Sequence, residues 1–144
     1  MIGYKEIDDA LGAAVSAALR EAELPAMRVR DDVRKPLPRP SYRIDLTVSD
    51  DTRTSDYAER GAEVEIYYYP KDTDAPQREL LVAADALRAA LGDGVDVAGF
   101  RLFAAEEIGS DAGDDVLAVT LRLEWIETAE EPVGEMMEEL EYDG

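Results

Sequence analysis

Any chemistry in this chain has to rest on carboxylates, lysines, tyrosines and hydroxyl groups, because its 144 residues include neither histidine nor cysteine. The usual general base at neutral pH, the strongest nucleophile, and the imidazole and thiolate metal ligands are therefore missing. Carboxylates are abundant, 34 Asp and Glu, so neighbouring acids are expected by chance. Asp8/Asp9 and Glu106/Glu107 are adjacent, and adjacent residues do not face each other on a helix. Asp111-Ala112-Gly113-Asp114-Asp115 reads as a turn, without the spacing or terminal Glu of a calcium loop. Gly92-Asp93-Gly94 follows a helical stretch instead of opening one, the wrong context for a phosphate cradle. No catalytic, cofactor-binding or metal-ligating residue is assigned. The expectation is a non-enzymatic protein, without a cofactor, that works by binding other proteins.

Three groups of residues suit partner recognition. In Tyr67-Tyr68-Tyr69 one tyrosine must point to the core while Tyr67 and Tyr69 point the other way. Either a helix covers that second face or it is a protein interface, where Tyr is enriched. The stretch 28–43 is the only basic one, with Arg28, Arg30, Arg34, Lys35, Arg39 and Arg43 around Pro36, Pro38 and Pro40. It is either a solvated loop or an arm that docks on the acidic surface of a neighbouring copy; Arg53 is added to it as an interface candidate. Finally, Met136, Met137 and Leu140, with Val133, form a short apolar set in a terminal stretch that has eight acids and no base from Glu127 onward. That stretch is a solvated tail or a segment that orders on a partner.

Charge separates two halves. Net charge is −19, yet residues 1–53 are nearly balanced, with nine Lys/Arg against ten Asp/Glu. Residues 54–144 carry six against 24. Such a surface repels nucleic-acid backbones, since affinity there comes from neutralising phosphates. No stretch approaches the ~20 apolar residues of a membrane helix, and the N-terminus lacks a secretory apolar region. The reading is a soluble intracellular protein.

The elements that position these residues follow from periodicity. Tyr4 to Ala22 predicts an amphipathic helix, with Ile7, Leu11, Val15 and Leu19 recurring at i+4 and Pro25 beyond its end. Met27 and Val29 suit a short edge strand, and residues 43–48 alternate as a half-buried strand does. Ser49 to Gly61 is polar and reads as a loop or hairpin tip. Glu63 to Tyr69 predicts a strand with Val64, Ile66 and Tyr68 on one face, ended by Pro70. A second helix is expected to be capped by Thr73 or Asp74, with Pro76 in its first turn and Leu80, Ala84, Leu87 and Leu91 as its buried stripe. Residues 95–103 predict a strand with a bulge at Gly99. Leu117, Val119, Leu121, Leu123 and Trp125 give the clearest strand. The sum is one α+β domain over 1–144: a mainly antiparallel four- to five-stranded sheet, two helices packed against it, and an acidic C-terminal tail over 126–144.

The order of these motifs resembles the tail terminator, or tail-completion, proteins of tailed bacteriophages and prophages. Val64-Glu65-Ile66-Tyr67-Tyr68-Tyr69-Pro70-Lys71, followed by a helix with Glu79-Leu80 and Ala84-Asp85-Ala86-Leu87, is similar to a signature of that family. The opening Tyr4-Lys5-Glu6-Ile7, the strand 115–121 and Met137-Glu138-Glu139-Leu140-Glu141 fit the same pattern. The likeness spans roughly residues 4–141 and is weakest over 28–60, which is richer in Arg and Pro. It implies a structural virion protein, assembled in the host cytoplasm, that forms a hexameric ring on top of the tail. Its implied partners are its own copies, the tail-tube protein, a head-closure or connector protein, and a sheath where the tail has one. DNA would pass through the ring without specific binding, with no membrane involved.

Other readings stay open at this stage. Another neck or tail component, such as a head-closure or tube protein, would not halt tube growth. An acidic DNA mimic would bind a DNA-binding protein tightly. A protein of a high-salt cytoplasm would lose structure at low salt.

Overall fold

The computed structural model describes residues 1–30, 38–113 and 115–128. Helix α1 is Tyr4–Glu21 and buries Ile7, Leu11, Val15, Ala18 and Leu19 on one stripe, as the i+4 spacing requires. Glu6 Oε1 accepts the Gly3 N–H at 2.7 Å and satisfies one of the free donors at its start. At its end Glu23 adopts a left-handed φ of 65°. The Leu24 N–H then reaches Leu19 O at 2.7 Å and the Glu23 N–H reaches Arg20 O at 3.0 Å. This paired closure turns the chain out of the helix.

Strand β1, Met27–Arg28, lies parallel to β2, Ser41–Arg53, which pairs antiparallel with β3, Tyr57–Tyr69. Helix α2 is Gln77–Gly92, followed by β4, Val95–Val97, β5, Phe100–Leu102, β6, Gly109–Ala112, and β7, Leu117–Thr128. The main sheet has the order β1-β2-β3-β7-β6, and β4 and β5 form a separate two-stranded ribbon. The fold is α+β with a mainly antiparallel five-stranded sheet, as the strand and helix periodicities predict.

Register places the core. Tyr42, Ile44 and Leu46 of β2 stand opposite Tyr68, Ile66 and Val64 of β3, which stand opposite Leu117, Val119 and Leu121 of β7. Apart from Leu46, which is half-buried against them, these side chains form one buried cluster with Ile7, Leu11 and Leu19 of α1 and Leu80, Leu87 and Leu91 of α2. Each fully buried Leu or Ile contributes roughly 1.5–3 kcal/mol relative to exposure. Both helices therefore lie on the Tyr68 face of the sheet.

Several local readings need correction. Of the two readings of Ser49 to Gly61, the structure shows the hairpin tip and not the loop: β2 and β3 continue through it and turn only at 54–56, where the Thr54 N–H bonds Tyr57 O at 2.8 Å. Residues 95–103 are two strands of a tight hairpin, not one bulged strand. Ala98 and Gly99, both at positive φ (51° and 88°), form its turn. Gly109–Ala112 is a strand that pairs with β7, so the turn begins later, at Gly113, whose N–H bonds Val116 O. Helix α2 takes no cap from Thr73 or Asp74. Instead Asp72 Oδ1 accepts the N–H groups of Asp74 and Ala75, and Pro76 stands at the N-cap. In the α2 stripe Ala83, rather than Ala84, is the fully buried alanine.

Candidate functional site

Since both helices pack on the Tyr68 face, the opposite face of the sheet is covered by no helix among the described residues. The period of two puts Arg43, Asp45 and Thr47 of β2 on it, beside Tyr67, Glu65 and Glu63 of β3 and Ala118, Thr120 and Arg122 of β7. Tyr67 and Tyr69 are half-buried there, away from the helices. Among the described residues, therefore, no helix covers the two tyrosines.

This face is a lattice of charges and phenols. The Arg43 guanidinium lies 4.8 Å from the centre of the Tyr67 ring, a cation–π contact, and its Nη2 bonds Asp45 Oδ2 at 3.2 Å. The Tyr67 hydroxyl donates to Glu65 Oε1 at 2.8 Å. That bond, followed by burial, raises the tyrosine's pKa and holds the phenol neutral. Arg122 bridges Glu124 at 2.6 Å and Glu63 at 3.3 Å across two strands. Glu106 and Glu107 border the same patch. Carboxylates outnumber guanidiniums there, so the field over the face is negative.

The basic candidates separate into three places. Arg28 is mostly buried against α1, with Nη2 2.8 Å from Asp8 Oδ1, and Arg30 reaches the other oxygen of Asp8 at 3.4 Å. Gly12 makes room for this: a side chain there would run into the Arg28 guanidinium. Arg39 bonds the carbonyl of Pro70 at 3.0 Å, next to Tyr69. Ser41 and Arg43 pair with Tyr69 and Tyr67 in register, so Arg39, Arg43 and the two tyrosines share one end of the sheet. Arg53 sits at the far hairpin tip, doubly bonded to Asp51. Arg34, Lys35, Met136, Met137 and Leu140 lie outside the described residues.

Arg60 is the residue that sequence reasoning missed. Its side chain is 1% exposed. Nη1 bonds Ile2 O at 2.6 Å and Glu127 Oε1 at 3.0 Å, and the guanidinium lies 4.4 Å and 5.3 Å from the ring centres of Tyr4 and Trp125. Glu127 Oε2 in turn accepts the Ile2 N–H at 3.0 Å. Nearby Asp51 is held well below the usual carboxylate range by Arg53 and by the Tyr4 hydroxyl. An Arg with so many partners is positional: it ties the N-terminus, the hairpin and the end of β7 together. Its pairing is set by register, so no local pattern announces it.

No group of acids among the described residues is placed to hold a metal ion. The arrangement is a broad polar sheet face that carries two half-buried tyrosines among charges.

Residues 11–135 match the model of a family described as phage tail terminator protein. No curated protein matches. Among solved structures, a chain titled "Virion of native gene transfer agent (GTA) particle" is 18% identical, with a TM-score of 0.51, over 88% of this chain and 100% of its own. Another is 12% identical with a TM-score of 0.50, covering 92% of this chain and all of its own. At these identities the likeness concerns the fold alone.

Proposed function

The chain belongs to the phage tail terminator protein family, and from that premise we propose that copies of it close into a ring, six to a turn, that caps the tail tube and joins it to the head. The observation that carries this reading is the open sheet face. A sheet with helices on one side only presents its other side to a partner, and here that side carries Tyr67 and Tyr69 among charges. Head-to-tail contacts between unlike surfaces are what closes a ring. The near-neutral first half and the strongly acidic second half supply two such surfaces.

In this proposal Arg30, Arg34, Lys35 and Arg39, with Arg53, Tyr67 and Tyr69, make subunit or partner contacts. Arg28 is engaged by its own Asp8 and serves to place that region. The whole chain, 1–144, acts as one domain without enzymatic activity. Its other partners are the tail-tube protein, a head-closure or connector protein, and a sheath in a contractile tail. The particle is put together in the host cytoplasm and the protein stays in the virion. An acidic lining suits a channel for DNA, because carboxylates repel phosphates and keep the duplex from sticking.

The test is assembly. Native mass spectrometry across protein and salt concentration is expected to give a species near six times the 15.8 kDa chain mass, alone or on tube ends. Tail-tube protein polymerised with this chain should give tubes of limited length by electron microscopy. Tubes that keep growing at the same rate would refute the capping role.

A further inference from the structure

We propose that the uncovered face of the sheet receives the outer face of helix α2 from a neighbouring copy of this chain. The inference rests on the ring reading and names the two surfaces that meet. On α2, Leu80, Ala83, Leu87 and Leu91 face the core. Arg78, Leu81, Val82 and Asp85 lie on the other side of the helix and are exposed. Leu81, at 63% exposure, is a large apolar side chain in the middle of that stripe. Arg78 and Asp85 bracket it, three residues before and four after, so all three share one side of the helix. Neither charge makes an ion pair among the described residues. Along the outer face of α2 the order is therefore basic, apolar, acidic.

The sheet face carries the opposite order. Glu65, Glu106 and Glu107 border a shallow concavity of about 180 Å³ and have no cationic partner among the described residues. Next along β3 stand Tyr67 and its β7 neighbour Ala118, with Arg43 on the β2 side. Tyr69 and Arg39 follow at the end of the strand. The spacings agree. Arg78 to Asp85 spans about 10 Å of helix, and Glu65 to Tyr69 about 13 Å of strand. With Arg78 against the three acids, Leu81, about 4.5 Å further on, meets Tyr67 and Ala118, and Asp85 reaches the end that holds Arg39 and Arg43. The charges fix direction and register, and the tyrosines bury the leucine. The chain's own α2 cannot serve, because it packs on the Tyr68 side of the same sheet. A contact between opposite sides of two copies is head-to-tail, the kind that closes a ring or runs on as a filament.

The absence of cysteine gives a direct test in the full chain. Leu81→Cys/Ala118→Cys places two thiols on opposite sides of the molecule, with α2 and the sheet between them. A helix is about 10 Å across, whereas a disulfide needs Cβ atoms about 3.5–4.5 Å apart, so each thiol can pair only with another chain. Mild oxidation is expected to give a ladder of covalent multimers, about tenfold faster than the control Phe103→Cys/Ala118→Cys. That control keeps the sheet thiol and moves the other to an exposed residue outside α2. Adding Arg78→Glu should slow the ladder about tenfold, and adding Glu106→Lys/Glu107→Lys to that chain should restore it. Equal rates for the two cysteine pairs, or no rescue by the reversed acids, would overturn the contact. A species of six copies that persists in that case keeps the ring and moves its interface elsewhere. A ladder that ends at six copies supports both contact and ring; one that runs past six keeps the contact and refutes the closed ring.

Discussion

The Tyr68 hydroxyl donates a hydrogen bond to Glu79 Oε2 at 2.6 Å, and the same carboxylate accepts the backbone N–H groups of Lys71 and Asp72 at 2.7 and 3.1 Å. One side chain from the first turn of α2 thus fixes the end of β3 and the turn that follows it. This gives a physical reason for Tyr68 and Glu79 to occur together. The strand ends, the chain turns, and a helix carboxylate gathers the donors that the turn leaves free.

Removal of that hydroxyl is measurable. Tyr68→Phe should cost about 1.5–3 kcal/mol, the range for a hydrogen bond to a charged group. Burial first, and the bond to Glu79 second, raise the Tyr68 pKa above its ordinary value of 10.0. The phenol therefore supports the fold fully below pH 10. Above that the unfolded chain loses its proton while the folded one keeps it, and stability falls by roughly 1.4 kcal/mol per pH unit from this group. Urea unfolding from pH 8 to 11 should show a shallower alkaline decline in Tyr68→Phe than in the wild type. Parallel declines would refute the assignment.

Arg60→Ala should destabilise by about 3–5 kcal/mol, because it leaves the poorly exposed Glu127 carboxylate without its charged partner. The double variant Arg60→Ala/Glu127→Ala is expected to lose clearly less than the sum of the two single changes. Additive losses in chemical denaturation would mean that the pair is not coupled.

Glu23 is a non-glycine residue at φ 65°. The left-handed conformation costs a residue with a Cβ about 1–2 kcal/mol, and glycine avoids this at a smaller entropic loss. Glu23→Gly should therefore stabilise by about 0.5–1 kcal/mol, visible as a rise of a few degrees in Tm by calorimetry. A lower Tm would show that the carboxylate does something there beyond occupying the turn.

Tyr67 separates folding from association. Its ring lies on the open face with Arg43 above it, so Tyr67→Ala should change stability by less than about 1 kcal/mol. If the face is a subunit or partner interface, the same change should weaken association by roughly 5- to 30-fold, as loss of an aromatic anchor does. Thermal melting paired with sedimentation over a concentration series reads both effects. Unchanged association would move the interface elsewhere on the molecule.

Much of the fold was legible in the chain because its strongest signals are local. The i+4 stripe of α1 and the alternation at Leu117 to Trp125 are burial patterns written within single elements, and they reappear in the structure. The segment 49–61 was legible only as a loop or a hairpin tip, without a choice between them. Its inward positions in β3 are Ala58, Arg60 and Ala62, too small or too polar to give an apolar alternation. The positions between them, Tyr57, Glu59 and Gly61, add no apolar repeat either, so nothing local separates a loop from paired strands. The Gly109–Ala112 strand is an edge of four polar or small residues and is held by β7 rather than by its own propensity.

The candidate surface divides in the same way. Residue type and spacing alone determined that Tyr67 and Tyr69 point away from Tyr68, that histidine and cysteine chemistry is excluded, and that acids dominate the second half. Tertiary structure alone decided that both helices pack on one side, leaving the tyrosine face uncovered among the described residues. It alone brought Arg28 and Arg30 to Asp8, and Arg60 to Ile2 and Glu127. Periodicity records which side of an element is buried, whereas a contact between residues far apart in sequence depends on register and strand order. Those are settled only when the core closes over the whole sheet at once.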